Sequence, residues 1–179
     1  MNKTIVLYGS HYGATRAYAR HIAGQLGCAA AAAEQIKELD LSAYDTVIFG
    51  GGLYAGSVAG WNKAAKYCGQ KEGQRWILFS CGLADPASAK TQNEVRTLFE
   101  SRLPDELHGK LPVFCLRGGM DYAKLGLKHR TMMAALMLFL RRKKDKTEED
   151  EQLLQTYGQK IDFFDESSLQ PILDEARRQ

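Results

Sequence analysis

The predicted fold is decided by residues 3–15, KTIVLYGSHYGAT, close to the start of the chain. The apolar run Ile5–Leu7 is rich in β-branched residues and has the length of a buried parallel strand. Small and hydroxyl residues end this strand, and a helical pattern begins directly afterwards. Four residues at intervals of four share one face of that helix: Ala14, Tyr18, Ile22 and Leu26. The stretch therefore predicts a strand, a tight turn and a helix.

The turn between this strand and helix is a candidate anion site. The first N–H groups of a helix lack intrahelical acceptors and carry the positive end of the helix dipole. Ser10 and Thr15 add hydroxyl donors, while Gly9 and Gly13 let the backbone close around a phosphate. No Lys or Arg occurs in the turn before Arg16, so we expect a phosphate held by neutral donors.

The same turn excludes other common phosphate-handling domains. A P-loop would close with Gly-Lys-Ser or Gly-Lys-Thr, and the turn contains neither. The dinucleotide fingerprint needs two glycines one residue apart, whereas Gly9 and Gly13 are four positions apart. A receiver domain needs acidic residues at its strand ends, which here read Tyr8-Gly9 and Gly50-Gly51.

Composition and cysteine spacing favour a single, reduced, cytoplasmic domain. The chain has 179 residues, of which 45% are apolar, and this suffices for one domain with a sizeable core. The N-terminus enters strand sequence at once, so we expect no secretory signal. The four cysteines match no zinc, redox or Cys-x5-Arg phosphatase spacing. We expect them to be buried thiols.

Strand and helix patterns alternate along the next hundred residues. Predicted strands cover residues 28–34, 46–50, 75–82 and 110–117, and predicted helices cover residues 61–68 and 87–103. Such alternation indicates an α/β fold with a parallel sheet, whose ligands lie outside the carboxyl ends of the strands. The Gly-rich segment 51–60 and the segment 80–88 are predicted loops at that edge.

The arrangement Ser10-x-x-Gly13-x-Thr15 resembles the phosphate loop of flavodoxins, which holds the monophosphate of FMN. That family prefers Thr, Ser or Asp where Tyr12 stands. The resemblance implies FMN as the cofactor and a flavodoxin-like α/β fold, a doubly wound five-stranded parallel sheet with strand order 2-1-3-4-5. The implied FMN-binding residues are Ser10, His11, Tyr12, Gly13, Ala14 and Thr15 in the first loop, Gly51, Gly52, Leu53, Tyr54, Ala55 and Gly56 in the second, and Ser80, Cys81, Gly82 and Leu83 in the third.

The resemblance implies that Leu53 or Tyr54 covers the face of the flavin ring. Tyr54 is equally consistent with an ordinary surface aromatic residue, and Trp61 is a weaker candidate for stacking. We interpret Cys81 as a small buried residue rather than a nucleophile. No catalytic residue and no metal ligand is assigned, because a flavin carries the redox chemistry itself. Among the histidines only His11 lies in a predicted loop of the site, where a solvent-facing turn residue is its simpler interpretation.

Residues 120–159 form a predicted insertion that splits the last strand, whose second piece would be Lys160–Phe164. Residues 127–144 are predicted to be helical, with an apolar centre too short to span a bilayer. Between residues 119 and 147 the chain carries eight Lys or Arg and two Asp, a local charge of +6. Such a helix either packs on the domain with a solvated basic end, or offers its apolar face to a membrane surface, a quinone, a porphyrin or a partner.

A flavodoxin domain with a long basic insertion in its last strand resembles the menaquinone-dependent protoporphyrinogen dehydrogenase group, with residues 117–130 as the most group-specific stretch. The resemblance implies an FMN-dependent oxidoreductase that passes hydrogen from a porphyrinogen-type substrate to a quinone. A soluble electron carrier that docks to acidic redox partner proteins, or a flavin-free interaction module, are the alternatives. We expect peripheral contact with the inner face of a membrane through residues 127–146, and no nucleic acid partner.

Overall fold

The structure is a computed structural model that describes residues 3–178, excluding the side chains of Met120, Lys124, Lys128 and Glu149. The expected charges of Lys124 and Lys128 in the basic insertion therefore lie outside the described side chains. The strands are β1 (Thr4–Gly9), β2 (Ala29–Ala32), β3 (Thr46–Tyr54), β4 (Ser57–Val58), β5 (Arg75–Gly82), β6 (Val113–Arg117), β7 (Gly119–Asp121) and β8 (Lys160–Asp162). The α-helices are α1 (Ala14–Leu26), α2 (Trp61–Ala64), α3 (Ala89–Glu100), α4 (Leu127–Arg142), α5 (Glu148–Gln155) and α6 (Gln170–Arg177).

Five parallel strands form the central sheet in the order β2-β1-β3-β5-β6. Alternate residues of β1, β3 and β5 enter two separate apolar cores, which explains why these strands read as nearly continuous apolar runs. One core contains Leu7, Phe49 and Leu78, and the other contains Val6 and Ile77 on the opposite face. The predicted α/β fold class with a doubly wound parallel sheet is confirmed.

Glycines flank the first helix, α1, at both ends. Gly13 precedes it with a φ of 101°, and Gly27 follows it with a φ of 63°, both values in the left-handed region that glycine adopts readily. The N–H of Gly27 closes the last turn by donating to the carbonyls of Ala23 and Gly24. The predicted apolar face is confirmed, since Tyr18 and Ile22 are completely buried between α1 and the sheet.

The second predicted loop is shorter than expected, because β3 continues through Gly51 and Gly52 to Tyr54. A tight turn at Ala55 and Gly56, with φ values of 49° and 71°, then returns the chain as β4, antiparallel to β3. The strand needs glycine at position 51, because a Cβ there would come within 2.1 Å of a Val58 methyl carbon on the returning strand. The sequence prediction of an open Gly-rich loop over 51–60 was therefore wrong in its first part.

The prediction that Lys160–Phe164 continues the last strand of the main sheet was also wrong. Lys160–Asp162 forms β8, which pairs antiparallel with β7 in a separate two-stranded sheet. Parallel pairing at the edge of the main sheet ends at Arg117, and Gly118 donates its N–H to the Gly82 carbonyl at 2.7 Å. The chain then turns away through Gly119, where a Cβ would meet the Ile161 carbonyl oxygen at 2.7 Å.

The insertion consists of β7, α4 and α5 before the chain returns as β8. The predicted helix over 127–144 is confirmed and ends two residues early, at Arg142. In the part of the chain that the structure describes, no helix combines the length and apolar character needed to cross a membrane.

Replacing Ala55 by asparagine is expected to stabilise the protein, because Ala55 is the sole described non-glycine residue with a positive φ. Asparagine tolerates the left-handed region better than alanine and is favoured in such hairpin turns, so we expect a gain of about 0.5–1 kcal/mol in the free energy of unfolding. Urea denaturation measures this change in the free energy of unfolding. The control Ala87→Asn, at an exposed turn residue without positive φ, should not show this gain. Equal shifts for the two variants would contradict the turn assignment.

Candidate functional site

The three predicted cofactor loops come together at the carboxyl edge of the sheet. The first loop touches the segment after β4, since a Cβ at Gly9 would lie 1.9 Å from the Ala59 carbonyl oxygen. The second loop touches the third, since a Cβ at Gly82 would lie 2.9 Å from a Leu53 methyl carbon. These approaches require glycine and leave the loops in direct contact around the start of α1.

The first loop forms a cradle of backbone donors at the start of α1. The Ser10 hydroxyl oxygen accepts a hydrogen bond from the Gly13 N–H at 3.1 Å, which closes the turn. Ala17 donates to the Gly13 carbonyl at 2.9 Å and is the residue that starts the helical hydrogen-bond pattern. By helix geometry, the N–H groups of residues 14–16 have no intrahelical acceptor. The cradle can therefore donate several hydrogen bonds to an anion.

Thr15 lies at the base of this cradle and is 1% exposed. Its hydroxyl has no hydrogen-bond partner among the residues that the structure describes, although it lies near the Cys81 thiol. A buried hydroxyl without a partner costs about 1–3 kcal/mol, so such groups are rare in folded proteins. Ser80 and Tyr122 also carry buried hydroxyls without a described partner, but Thr15 is the one beside the helix N–H groups of residues 14–16, where a bound anion could supply that partner.

Tyr54 folds back over the first loop. Its phenol oxygen accepts a hydrogen bond from the His11 N–H at 3.4 Å, and its ring centroid lies 4.8 Å from that of His11. The ring also packs edge-on against Tyr12, with centroids 5.6 Å apart. Burial raises the pKa of the Tyr54 phenol, which therefore stays neutral near pH 7. The neutral phenol oxygen thus accepts a hydrogen bond from one backbone N–H group next to the cradle.

The insertion helix α4 is tied to the same loop through His129. The Tyr12 hydroxyl and the Nδ1 atom of His129 form a hydrogen bond of 2.5 Å. The His129 ring also stacks on Tyr54, with centroids 5.7 Å apart and planes inclined by 16°. Sequence reasoning missed His129, because a contact between residues 117 positions apart leaves no local pattern.

The third loop begins later than predicted. Ser80 and Cys81 lie inside β5, at 1% and 5% exposure, while Gly82 ends that strand and Leu83 begins the loop. A cavity of about 190 Å³ lies between the second and third loops and is lined by Leu53, Ser80, Gly82, Leu83, Ala84, Pro86, Thr91, Cys115 and Leu116. Ser80 and Leu83 thus line this cavity, whereas Cys81 is a buried residue of β5.

Two further residues that the sequence singled out, His11 and Trp61, have clear positions in the structure. His11 is exposed, as expected of a turn residue. Trp61 is 1% exposed and donates its indole N–H to the Phe99 carbonyl, so this weaker stacking candidate was wrong. Among the described residues, no group of three or more His, Cys, Asp or Glu side chains could hold a metal ion.

A phosphate monoester suits the donors of the cradle. Backbone N–H groups of residues 14–16 and the unpartnered Thr15 hydroxyl are all donors, and Arg16 is the nearest cation along the chain. If the phosphate also takes the His11 N–H, the Tyr54 hydroxyl must release it. The residues present therefore fit a phosphate-bearing cofactor, and Tyr54 is the side chain that would adjust if the phosphate used the His11 N–H.

Comparison with known proteins places these observations in a family. A family model described as a flavodoxin domain matches residues 5–149. Comparison with curated proteins found no match. Similar solved structures include a flavoprotein in complex with FMN from Lactobacillus acidophilus, at 15% identity and a TM-score of 0.42 over 65% of this chain and 93% of that one. Flavodoxin 2 from Bacillus cereus is similar at 18% identity and a TM-score of 0.44 over 86% and 93% of the respective chains.

The cysteines should react with alkylating reagents in two classes. Burial raises the pKa of both Cys81 and Cys68 to about 12, so at pH 8 only about one molecule in ten thousand carries either thiolate. Cys28 and Cys115 are only half-buried. Mass mapping after brief iodoacetamide treatment at pH 8 should find these two modified first, with all four modified in urea. Native labelling of Cys81 as fast as Cys28 would contradict a structural role for Cys81.

Proposed function

The chain belongs to the flavodoxin domain family, and from this premise we propose that it binds FMN and acts as a redox protein. A bound flavin supplies the electron and hydrogen transfer chemistry. The chain contributes the phosphate cradle around Thr15, apolar cover from Leu53 and Leu83, and backbone groups of the glycine-rich strand ends. No general base is required among these residues.

The buried, unpartnered hydroxyl of Thr15 is the observation that carries this proposal. A chain that used the turn only to connect β1 to α1 would gain stability from an apolar residue at this position. A hydroxyl beside free helix N–H groups instead gains its partner when a phosphate binds. The flavin-free interaction module gives no reason for this hydroxyl.

For the reaction, we propose a dehydrogenase in which a porphyrinogen-type substrate loses two hydrogen atoms for each quinone that is reduced to a quinol. The two electrons and two protons lost by the substrate are those gained by the quinone. The α4 helix supports this proposal, because the Tyr12–His129 hydrogen bond holds the insertion against the first loop rather than away from it. A simple electron carrier, the alternative, does not explain an insertion bound to its cofactor loop.

The exposed face of α4 supports a peripheral membrane contact. Leu127, Leu138 and Phe139 are 80%, 53% and 64% exposed, and Arg141 and Arg142 follow at the end of the helix. Apolar side chains beside cations suit the interface of a membrane that contains anionic lipids and an apolar quinone. We therefore propose that α4 presents the protein to the inner face of a membrane.

Replacing Thr15 by valine should change two properties in opposite directions. The apoprotein should become more stable, by about 1 kcal/mol, because an unpartnered buried hydroxyl is removed. FMN binding should weaken about tenfold or more, because a hydrogen bond to a charged phosphate is lost. Urea denaturation of the apoprotein and titration with FMN, followed by flavin fluorescence, measure the two effects.

Two controls make this experiment specific. Riboflavin, which lacks the phosphate, should bind both proteins equally weakly. Thr46→Val, a matched change at a buried threonine at the opposite end of β3, should leave FMN affinity unaltered. An FMN affinity that is the same in the parent and Thr15→Val would show that the cradle does not hold the phosphate.

Replacing Tyr54 by phenylalanine tests how this side chain adjusts to the cofactor. The variant keeps an aromatic ring but frees the His11 N–H, so we expect FMN to bind up to about tenfold more tightly. Inorganic phosphate should also bind more tightly to this variant than to the parent protein. A marked loss of FMN affinity would instead mean that the phenol hydroxyl contacts the bound cofactor.

A further inference from the structure

A cavity of about 410 Å³ lies between the third loop and the end of the insertion. Its inner wall is formed by Leu83, Ala84, Asp85 and Arg117, which lie within the matched family region 5–149. Its outer wall is formed by Asp150, Gln152, Leu153, Gln155, Thr156, Ile161 and Phe163, all beyond that region. The cavity therefore arises where the flavodoxin domain meets a segment that the family model does not include.

Arg117 at the end of β6 is the cation of this cavity, and three contacts hold it in place. The guanidinium carbon lies 3.9 Å from the centroid of the Phe163 ring. The Nε atom donates to the Leu83 carbonyl at 3.3 Å, and Nη2 donates to the Gln152 side-chain oxygen at 3.0 Å. A guanidinium has five N–H groups in a planar fork, so further donors stay available on an oriented side chain.

Among the side chains that the structure describes, no carboxylate forms an ion pair with this guanidinium. Of the three half-buried arginines, Arg75 and Arg96 form ion pairs with glutamates, whereas Arg117 forms none with a described side chain. The acidic residue nearest along the opposite wall, Asp150, is already paired with Lys143 at 2.5 Å. A half-buried guanidinium that is held in position, with no described carboxylate paired to it, is suited to binding an anion.

The remaining lining defines which anion fits. Leu83, Leu153, Ile161 and Phe163 provide apolar walls that suit an organic body rather than a hydrated inorganic ion. Asp85 adds negative charge to the lining, so a doubly charged phosphate would be repelled more than a singly charged carboxylate. The planar fork of Arg117 matches a carboxylate with two parallel hydrogen bonds.

We propose that this cavity binds the carboxylate of an apolar organic acid, with Arg117 as its anchor. Leu83 and Ala84 line this cavity and also the smaller one between the second and third loops. A ligand on Arg117 would therefore lie beside the loop proposed to contact the flavin. The role of the cavity as the substrate position rests on the proposed function, and porphyrinogens carry such carboxylates, but the carboxylate selectivity does not depend on flavin chemistry.

The test uses two fluorescent probes with the same apolar body, 1-pyrenebutyrate and the neutral 1-pyrenebutanol, titrated into the full chain at pH 7.5. The parent protein should bind the carboxylate about tenfold more tightly than the alcohol, as for hydrogen bonds to a charged group. Arg117→Gln should remove most of this preference and leave alcohol binding unchanged. Arg142→Gln, which removes the same charge from exposed α4 outside the cavity, should preserve it.

A second variant covers the case in which Arg117→Gln disturbs the third loop through its Leu83 contact. Gln155→Glu adds a negative charge to the cavity wall with nearly the same shape, and should weaken carboxylate binding several-fold without affecting the alcohol. Equal binding of both probes by the parent protein, or an equal loss of both in the variants, would overturn the proposal.

FMN titration of the same proteins separates this inference from the proposed function. Gln155→Glu should bind FMN like the parent, because Gln155 lies in none of the three cofactor loops. If the parent binds no FMN and still prefers the carboxylate, the flavin proposal fails and the carboxylate site stands. If FMN binds and the carboxylate preference is absent, the inference fails alone.

Discussion

Parallel pairing of β1 with β3, and of β3 with β5, aligns Gly9, Gly51 and Ser80 in one row at the carboxyl edge of the sheet. This register depends on burial of all three strands on both faces, since a slip by one residue would exchange the residues of the two cores. The start of α1, the β3–β4 hairpin and the exit of β5 are fixed relative to one another as a consequence. The candidate site therefore rests on the most buried part of the molecule.

The insertion adds two features to this edge. At one side, the Tyr12–His129 hydrogen bond and the stacking of His129 on Tyr54 hold α4 over the first and second loops. At the other side, Phe163 after β8 packs on the Arg117 guanidinium beside the third loop. The proposed cofactor edge is thus bordered on both sides by residues that a minimal flavodoxin domain does not need. This arrangement supports our proposal of a substrate-binding protein rather than a simple carrier.

Local sequence was sufficient to predict the first strand, the turn and α1, because apolar spacing and Gly13 act over a few residues. It was also sufficient for the fold class and for the loops that meet at the site. Local sequence was insufficient where contacts between distant segments decide the structure. Gly51 is a strand residue that lies directly against Val58 of the returning strand β4. Ile161 pairs with Met120 rather than with the main sheet. His129 and the Phe163–Arg117 contact depend on such distant pairings and leave no periodic signal.

The proposed function depends on the start of α1, which would hold a phosphate through backbone N–H groups and the Thr15 hydroxyl. An NMR titration of isotope-labelled protein that compares FMN with riboflavin would test this phosphate binding. We expect large amide shifts and slowed hydrogen exchange at residues 13–16 with FMN, and little change there with riboflavin. FMN-induced shifts confined to other parts of the chain, or identical shifts with both ligands at residues 13–16, would contradict it.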